Sequence, residues 1–135
     1  MQDIIDGHAL IDGPLLPLLH EVQKAYGFVS EDAVRMIAHA LNLSRAEVHG
    51  VVSFYHDFKS SPDPRPVIKL CRAEACKARG VEAIALEAEA LAGTRIKIEP
   101  VYCLGLCSVG PAAMVNGEVY ARLTRERLVE LVEQT

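Results

Sequence analysis

Positive charge is scarce in this chain. Lys and Arg number 14 against 18 Asp and Glu, for a net charge of -4. Binding of nucleic acid draws on a dense basic face, so nucleic acid is not expected as a partner. Long apolar runs are missing as well. Half of the 135 residues are apolar, enough for a real core. Yet the near-apolar run "ALIDGPLLPLL" is broken by Asp12, Gly13 and Pro14. Nothing reaches the roughly 20 apolar residues that cross a bilayer. The N-terminal "MQDIIDGHAL" lacks the basic start and apolar stretch of a signal peptide. The expectation is a cytoplasmic protein with no direct membrane insertion, in a compartment where thiols stay reduced. Also absent are internal repeats, low-complexity tracts, a carboxylate pair, a nucleophile–base set and a phosphate-binding loop. The chain is therefore expected to have no bond-making active site of its own.

Cysteines are few: Cys71, Cys76, Cys103 and Cys107. Their pattern is C-x4-C, then 26 residues, then C-x3-C. No C-x-x-C is present, so a thioredoxin-type dithiol lacks its motif. The same gap removes the C-x2-C knuckles of common zinc ribbons, although four-cysteine zinc sites tolerate ligand spacings of two to four residues. Paired disulfides suit small secreted domains, and nothing points to secretion.

Periodicity divides the chain into two parts. In residues 1–58, "GPLLPLLHEVQKAYG" sets Leu15, Leu18, Leu19 and Val22 at helical spacing, with Gly27 as a stop. Ser30 can cap a second helix carrying Ala33, Val34, Ile37 and Leu41 on one face. Ser44 and Glu47 form a capping box for a third, "RAEVHGVVSFYHDF". These predict a small helical bundle. Residues 59–66, "KSSPDPRP", read as a proline-rich linker. In residues 67–135 the period changes. "VIKLC" is a strand, "CKARGVEAIALEAEALAG" a helix and "TRIKIEPVYC" a second strand. "AAMV" and "EVYARL" flank Asn116-Gly117, a type I′ hairpin signal. Thr124 caps a last helix with Leu128, Leu131 and Val132 inward. The expected fold class is α/β in the α+β sense: a helical bundle followed by a thioredoxin-like β-α-β-β-β-α sandwich.

Each cysteine pair begins at the C-terminal end of a predicted strand. In a β-α-β unit those strands are parallel neighbours, with their C-terminal ends on one side of the sheet. The two loops should converge there, and four thiolates could surround one site. A [2Fe–2S] cluster needs two thiolates on each iron. Short loops can chelate a single ion, which pairs Cys71 with Cys76 and Cys103 with Cys107. Gly105 and Gly110 would let backbone approach the sulfides. Arg72, Lys77 and Arg79 would lend positive charge to an anionic cluster. Spacing and loop composition favour the cluster over zinc and leave both open.

Other polar and aromatic residues have plainer readings. His8, His20, His39, His49 and His56 share no ligand spacing with the cysteines and read as surface or satisfied core. Phe54 and Tyr55 read as core or interface anchors, and Glu87 and Glu89 as a solvated helix face. The Gly110-Pro111 bond is expected trans by default, with cis, as at the corresponding turn in thioredoxins, the alternative.

With these segments in view, the chain resembles a known family, the thioredoxin-like [2Fe–2S] subunits of NADH-linked dehydrogenases. These include the thioredoxin-like subunit of respiratory complex I, its counterparts in NAD-reducing hydrogenases, and the gamma subunit of NAD-dependent formate dehydrogenase. "LLPLLHEVQKAYGFVSEDAV", "VHGVVSFYHDF", "CRAEAC" and "CLGLCSVGPAAMVNGEVYARLT" carry the resemblance. "SFYHDF" and "CRAEAC" most resemble the formate dehydrogenase subunit. The resemblance implies one [2Fe–2S] cluster on Cys71, Cys76, Cys103 and Cys107. It implies an electron-transfer role beside a larger subunit that binds FMN and NAD(H). In a formate dehydrogenase it further implies an iron–sulfur and molybdenum-containing subunit. A zinc-stabilised adaptor and a free-standing ferredoxin are the competing readings.

Overall fold

The computed structural model describes residues 1–8 and 10–135. The chain forms two compact units, Met1–Asp63 and Pro64–Thr135. The division falls inside the proline-rich stretch, where Pro62, Pro64 and Pro66 supply no backbone N–H for a helix or ladder.

The first unit is helical. The expected three helices are present as α2 (Leu15–Tyr26), α3 (Glu31–Ala40) and α4 (Arg45–Phe54), preceded by a short α1 (Gln2–His8) that the periodicity did not predict. Gly27 ends α2 in the left-handed region, φ 82°, where its N–H reaches the Gln23 carbonyl at 2.7 Å. Ser30 caps α3, and Ser44 with Glu47 completes the capping box of α4. α4 stops at Phe54, short of the expected end, because Tyr55 turns extended. Leu18, Leu19, Val22, Ile37 and Val48 are fully buried and form the core. Lys59, expected in the linker, belongs to this unit: its N–H donates to the Gln23 side chain at 2.6 Å, and its carbonyl accepts from Val29 at 2.8 Å.

The second unit holds β1 (Val67–Cys71), α5 (Glu74–Ala78), α6 (Val81–Ala92), β2 (Lys97–Val101), β3 (Ala113–Val115), β4 (Glu118–Tyr120) and α7 (Arg125–Gln134). Sheet order is β2-β1-β3-β4. β1 and β2 are parallel, with Cys71 opposite Val101; the other two pairings are antiparallel. The single helix expected after β1 is split, because Gly80 at φ 85° breaks the run between α5 and α6. Asn116 and Gly117 have φ of 52° and 85°, as a type I′ hairpin requires. Thr124 caps α7 through the Arg127 N–H. Ile68 and Leu70 of β1, Ala85 and Ala88 of α6, and Leu128 and Val132 of α7 share one core. Alanines on the buried face of α6 let it lie close to its neighbours. Among the described residues, no helix is long and apolar enough to cross a membrane.

Candidate metal centre

All four cysteines lie in the second unit and are free thiols. β1 delivers Cys71 at its last residue, and α5 carries Cys76 one helical turn further on. Both are buried in the core of this unit, each 2% exposed. Cys103 follows β2 by two residues, and Cys107 opens a 3-10 turn, Cys107–Val109; both are exposed. The centre thus has an inner pair on the fold and an outer pair at the surface.

Parallel pairing of β1 and β2 brings the two loops together. The Arg72 N–H donates to the Val101 carbonyl at 2.8 Å, closing the ladder beside Cys71. Beyond it the second loop folds back over the first. The amides of Ala73, Cys103 and Leu104 and the Cys76 thiol lie around the Cys71 sulfur, and the Ala112 amide lies near the Cys76 sulfur. In the outer pair, Cys103 Sγ lies 3.5 Å from Cys107 Sγ.

Charge at the sulfurs follows from these contacts. Burial pushes the Cys71 thiol up, but three N–H donors and the Cys76 thiol outweigh it, so its pKa falls below the ordinary cysteine value. Cys76 goes up through burial and the neighbouring Cys71. Cys107 goes up through its contact with Cys103. A cage of thiols and N–H donors favours ligands that share anionic charge with a bound centre.

Backbone geometry shows what the residue types alone did not. Cys103 has φ of 97°, a region few non-glycine residues enter. Gly105 follows at φ 76°, and its N–H reaches Cys103 Sγ at 3.4 Å. Gly110 has a different role. A Cβ there would lie 3.0 Å from Cys76 Sγ and 3.5 Å from Arg79 Cδ. Gly110-Pro111 is cis, contrary to the trans expectation; the X-Pro amide prefers trans by only about 0.5–1 kcal/mol, so tertiary context decides.

Two expectations about charge need correction. Arg72 does not face the sulfurs as a free cation. Its guanidinium grips Glu82 through Nε at 2.8 Å and through Nη2, and Glu89 through Nη1 at 3.0 Å. Hydrogen bonding to Arg72 holds the Glu82 carboxyl below the usual carboxylate range. Glu87 and Glu89 are accordingly not simply solvated: Glu89 takes Arg72, and Glu87 takes Arg125. Arg79 behaves differently and donates to the Ser108 carbonyl at 3.1 Å.

The histidines all sit in the first unit. His8 Nδ1 meets the Ile4 carbonyl at 2.8 Å, His20 packs on Phe58, and His49 faces Glu31. Phe54 and Tyr55 are exposed rather than core, stacked edge to face, while Phe58 is buried. Among the described residues no three His, Cys, Asp or Glu side chains gather as ligands of one ion; the cysteines come two by two. An inner and an outer thiol pair supply the number of thiolates that a two-iron centre takes.

Three comparisons bear on this arrangement. A family model described as thioredoxin-like [2Fe-2S] ferredoxin matches residues 1–135. A subunit of the NADH-quinone oxidoreductase of Escherichia coli (strain K12) is 34% identical over 122 residues, covering 84% of this chain and 74% of that protein. The same subunit from Buchnera aphidicola subsp. Acyrthosiphon pisum (strain APS) is 36% identical over 121 residues, covering 83% of this chain and 75% of that one. An NAD+-reducing [NiFe]-hydrogenase, crystallised in its H2-reduced state, matches with a TM-score of 0.74 at 28% identity over 89% of this chain. The chain spans only 22% of the length of that hydrogenase chain.

Proposed function

Because the chain belongs to the thioredoxin-like [2Fe-2S] ferredoxin family, we propose that it is an electron-transfer subunit of an NADH-linked oxidoreductase complex, with Cys71, Cys76, Cys103 and Cys107 holding one [2Fe–2S] cluster. The observation that carries this is the fold-back of the second loop. Gly110 of that loop lies so close to the first pair that a Cβ there would stand 3.0 Å from Cys76 Sγ, and Arg79 beside the first pair donates to the Ser108 carbonyl at 3.1 Å. When bound, the cluster supplies one-electron chemistry. The chain's own residues do the rest. β1 and α5 fix the inner thiolates in the core, and the 102–110 loop closes over them from the surface. The N–H groups of Ala73, Cys103, Leu104 and Ala112 stabilise negative charge on the sulfurs, and such hydrogen bonds set where the potential falls. The division into a helical unit, Met1–Asp63, and a second unit, Pro64–Thr135, fits this reading, with the cysteines confined to the second.

The partner follows the same reading. A larger flavin subunit carrying FMN and NAD(H) sits beside the cluster, in the cytoplasm, and the chain itself breaks no substrate bond. Relatives named as part of NADH-quinone oxidoreductase and as NAD+-reducing hydrogenase support an NADH-linked parent. For the parent we favour an NAD-dependent formate dehydrogenase, with its further iron–sulfur and molybdenum-containing subunit. "SFYHDF" and "CRAEAC" are the residues that support this choice.

Two measurements test the proposal. The chain purified in air should be reddish-brown, with about two iron and two acid-labile sulfide per chain. A colourless chain holding one zinc would overturn the electron-transfer role in favour of a structural adaptor. Purification from the source cell should bring down a flavin subunit and a molybdenum-containing one. Recovery of nickel-containing or quinone-reducing subunits instead would move the parent to hydrogenase or complex I, and recovery of no flavin subunit would favour a free-standing ferredoxin.

A further inference from the structure

The two cysteine loops are tied across by one side chain outside the ligand set. Arg79 lies three residues after Cys76, where its N–H closes α5 on the Cys76 carbonyl at 3.2 Å. Its side chain then crosses to the other loop. The stem passes Gly110, with Cδ 3.5 Å from where a Cβ there would stand. The guanidinium Nη2 donates to the carbonyl of Ser108, the residue after Cys107, at 3.1 Å. Glycine at 110 leaves open the lane through which the stem runs beside the Cys76 sulfur. The neighbouring cation cannot substitute, since Arg72 is held by Glu82 and Glu89.

On the cluster reading above, we propose that Arg79 is a positioning residue that clasps the loop of Cys76 to the loop of Cys107 and so keeps the cluster caged. The inner pair needs no such aid, because Cys71 and Cys76 are buried in the core. The outer pair does, because Cys107 sits in an exposed 3-10 turn of three residues. A charged donor on the Ser108 carbonyl holds that turn against α5. Without the clasp that turn swings away from α5, and the outer thiolates lose their place beside the inner pair.

The test uses the full chain, cluster-loaded, as wild type, Arg79→Met and Arg79→Lys. Iron release to a ferrous chelator should be about fivefold faster in Arg79→Met, the worth of one net hydrogen bond. Arg79→Lys keeps a charged donor and should recover most of the loss. Hydrogen exchange supplies a readout that general loosening of the fold would not mimic. Amides of residues 106–109 should exchange faster in Arg79→Met, while those of Ile68 and Leu70 stay unchanged. Equal release rates in Arg79→Met and wild type would overturn the proposal. So would a lack of recovery in Arg79→Lys, or acceleration that extends equally to Ile68 and Leu70. The exchange comparison is also made on the unloaded chain, so it decides the clasp even if wild type takes up no cluster. That last outcome would refute the cysteine reading instead.

Discussion

Gly110→Ala separates the chemistry of the cage from the stability of the fold. Gly110 has φ -67° and ψ 170°, an extended conformation open to any residue. Alanine there meets no backbone strain, so its whole effect comes from the added methyl. That methyl would stand 3.0 Å from Cys76 Sγ, against the 3.5–4.0 Å or so at which such atoms pack comfortably. Cys76 has little room to retreat, since it is 2% exposed. A sulfur bound to iron has still less freedom. Forcing a methyl into a packed site costs about 1–3 kcal/mol, and here the displaced atom is a sulfur of the proposed ligand set. Gly117→Ala is the control. It has nothing within 4 Å but a φ of +85°, so alanine there costs about 1–2 kcal/mol of left-handed strain far from any sulfur. The two variants should lose similar stability in urea. Only Gly110→Ala should fall well below two iron per chain after gel filtration, with a matching loss of visible absorbance. Equal iron content in the two variants would refute the claim that Gly110 is kept small for the cysteine cage.

Other outcomes follow from single contacts. Cys103→Ala should abolish or strongly disturb the cluster spectrum, while His39→Ala leaves it unchanged; bleaching by the histidine variant would refute the all-cysteine ligand set. Ser44→Ala removes the capping box of α4 and should destabilise the helical unit by about 1 kcal/mol, measured by urea unfolding. Hydrogen bonds from the Ser44 backbone and hydroxyl hold the Glu47 carboxyl below the usual glutamate range. A depressed folded pKa means that this stabilisation is complete above the ordinary glutamate pKa and is lost as pH falls through the lowered value. Wild type should therefore lose stability on acidification more steeply than Glu47→Gln, and parallel acid profiles would show that the box does not couple to the Glu47 charge. Arg72→Met should destabilise the second unit by about 0.5–1 kcal/mol, since its carboxylate partners are near half exposed. It should leave the visible spectrum intact; bleaching would mean that Arg72 serves the cage after all.

Local chemistry made most of the fold legible. Ser30, Ser44 and Thr124 announce helix starts because a side-chain oxygen there satisfies an orphan N–H. Asn116-Gly117 announces the hairpin because both residues must take positive φ. What failed was continuity. The reading of "CKARGVEAIALEAEALAG" as one helix ran through Gly80, which takes the left-handed conformation and divides α5 from α6. The periodic run after Ser44 pointed past Phe54, but a pattern does not say where tertiary packing turns the chain, and Tyr55 turns extended. α1 carries no cap or long apolar stripe that would have marked it.

The cysteine site divides along the same line. That the pairs meet was legible, because parallel strands place their C-terminal ends together. How they meet depends on backbone that no residue type dictates. Cys103 at φ 97° gives no sign of itself in the sequence. Positive charge near the first pair was legible as composition, but its assignment was not. Arg72 and Arg79 flank Cys76 at similar distances along the chain. Strand β1 sends Arg72 onto the carboxylates of α6, whereas the end of α5 sends Arg79 across to Ser108. Proximity in sequence therefore overstates how much charge a cage receives. An arginine within reach of a carboxylate-bearing helix is captured by that helix, and the one whose stem finds a glycine lane reaches the opposite loop.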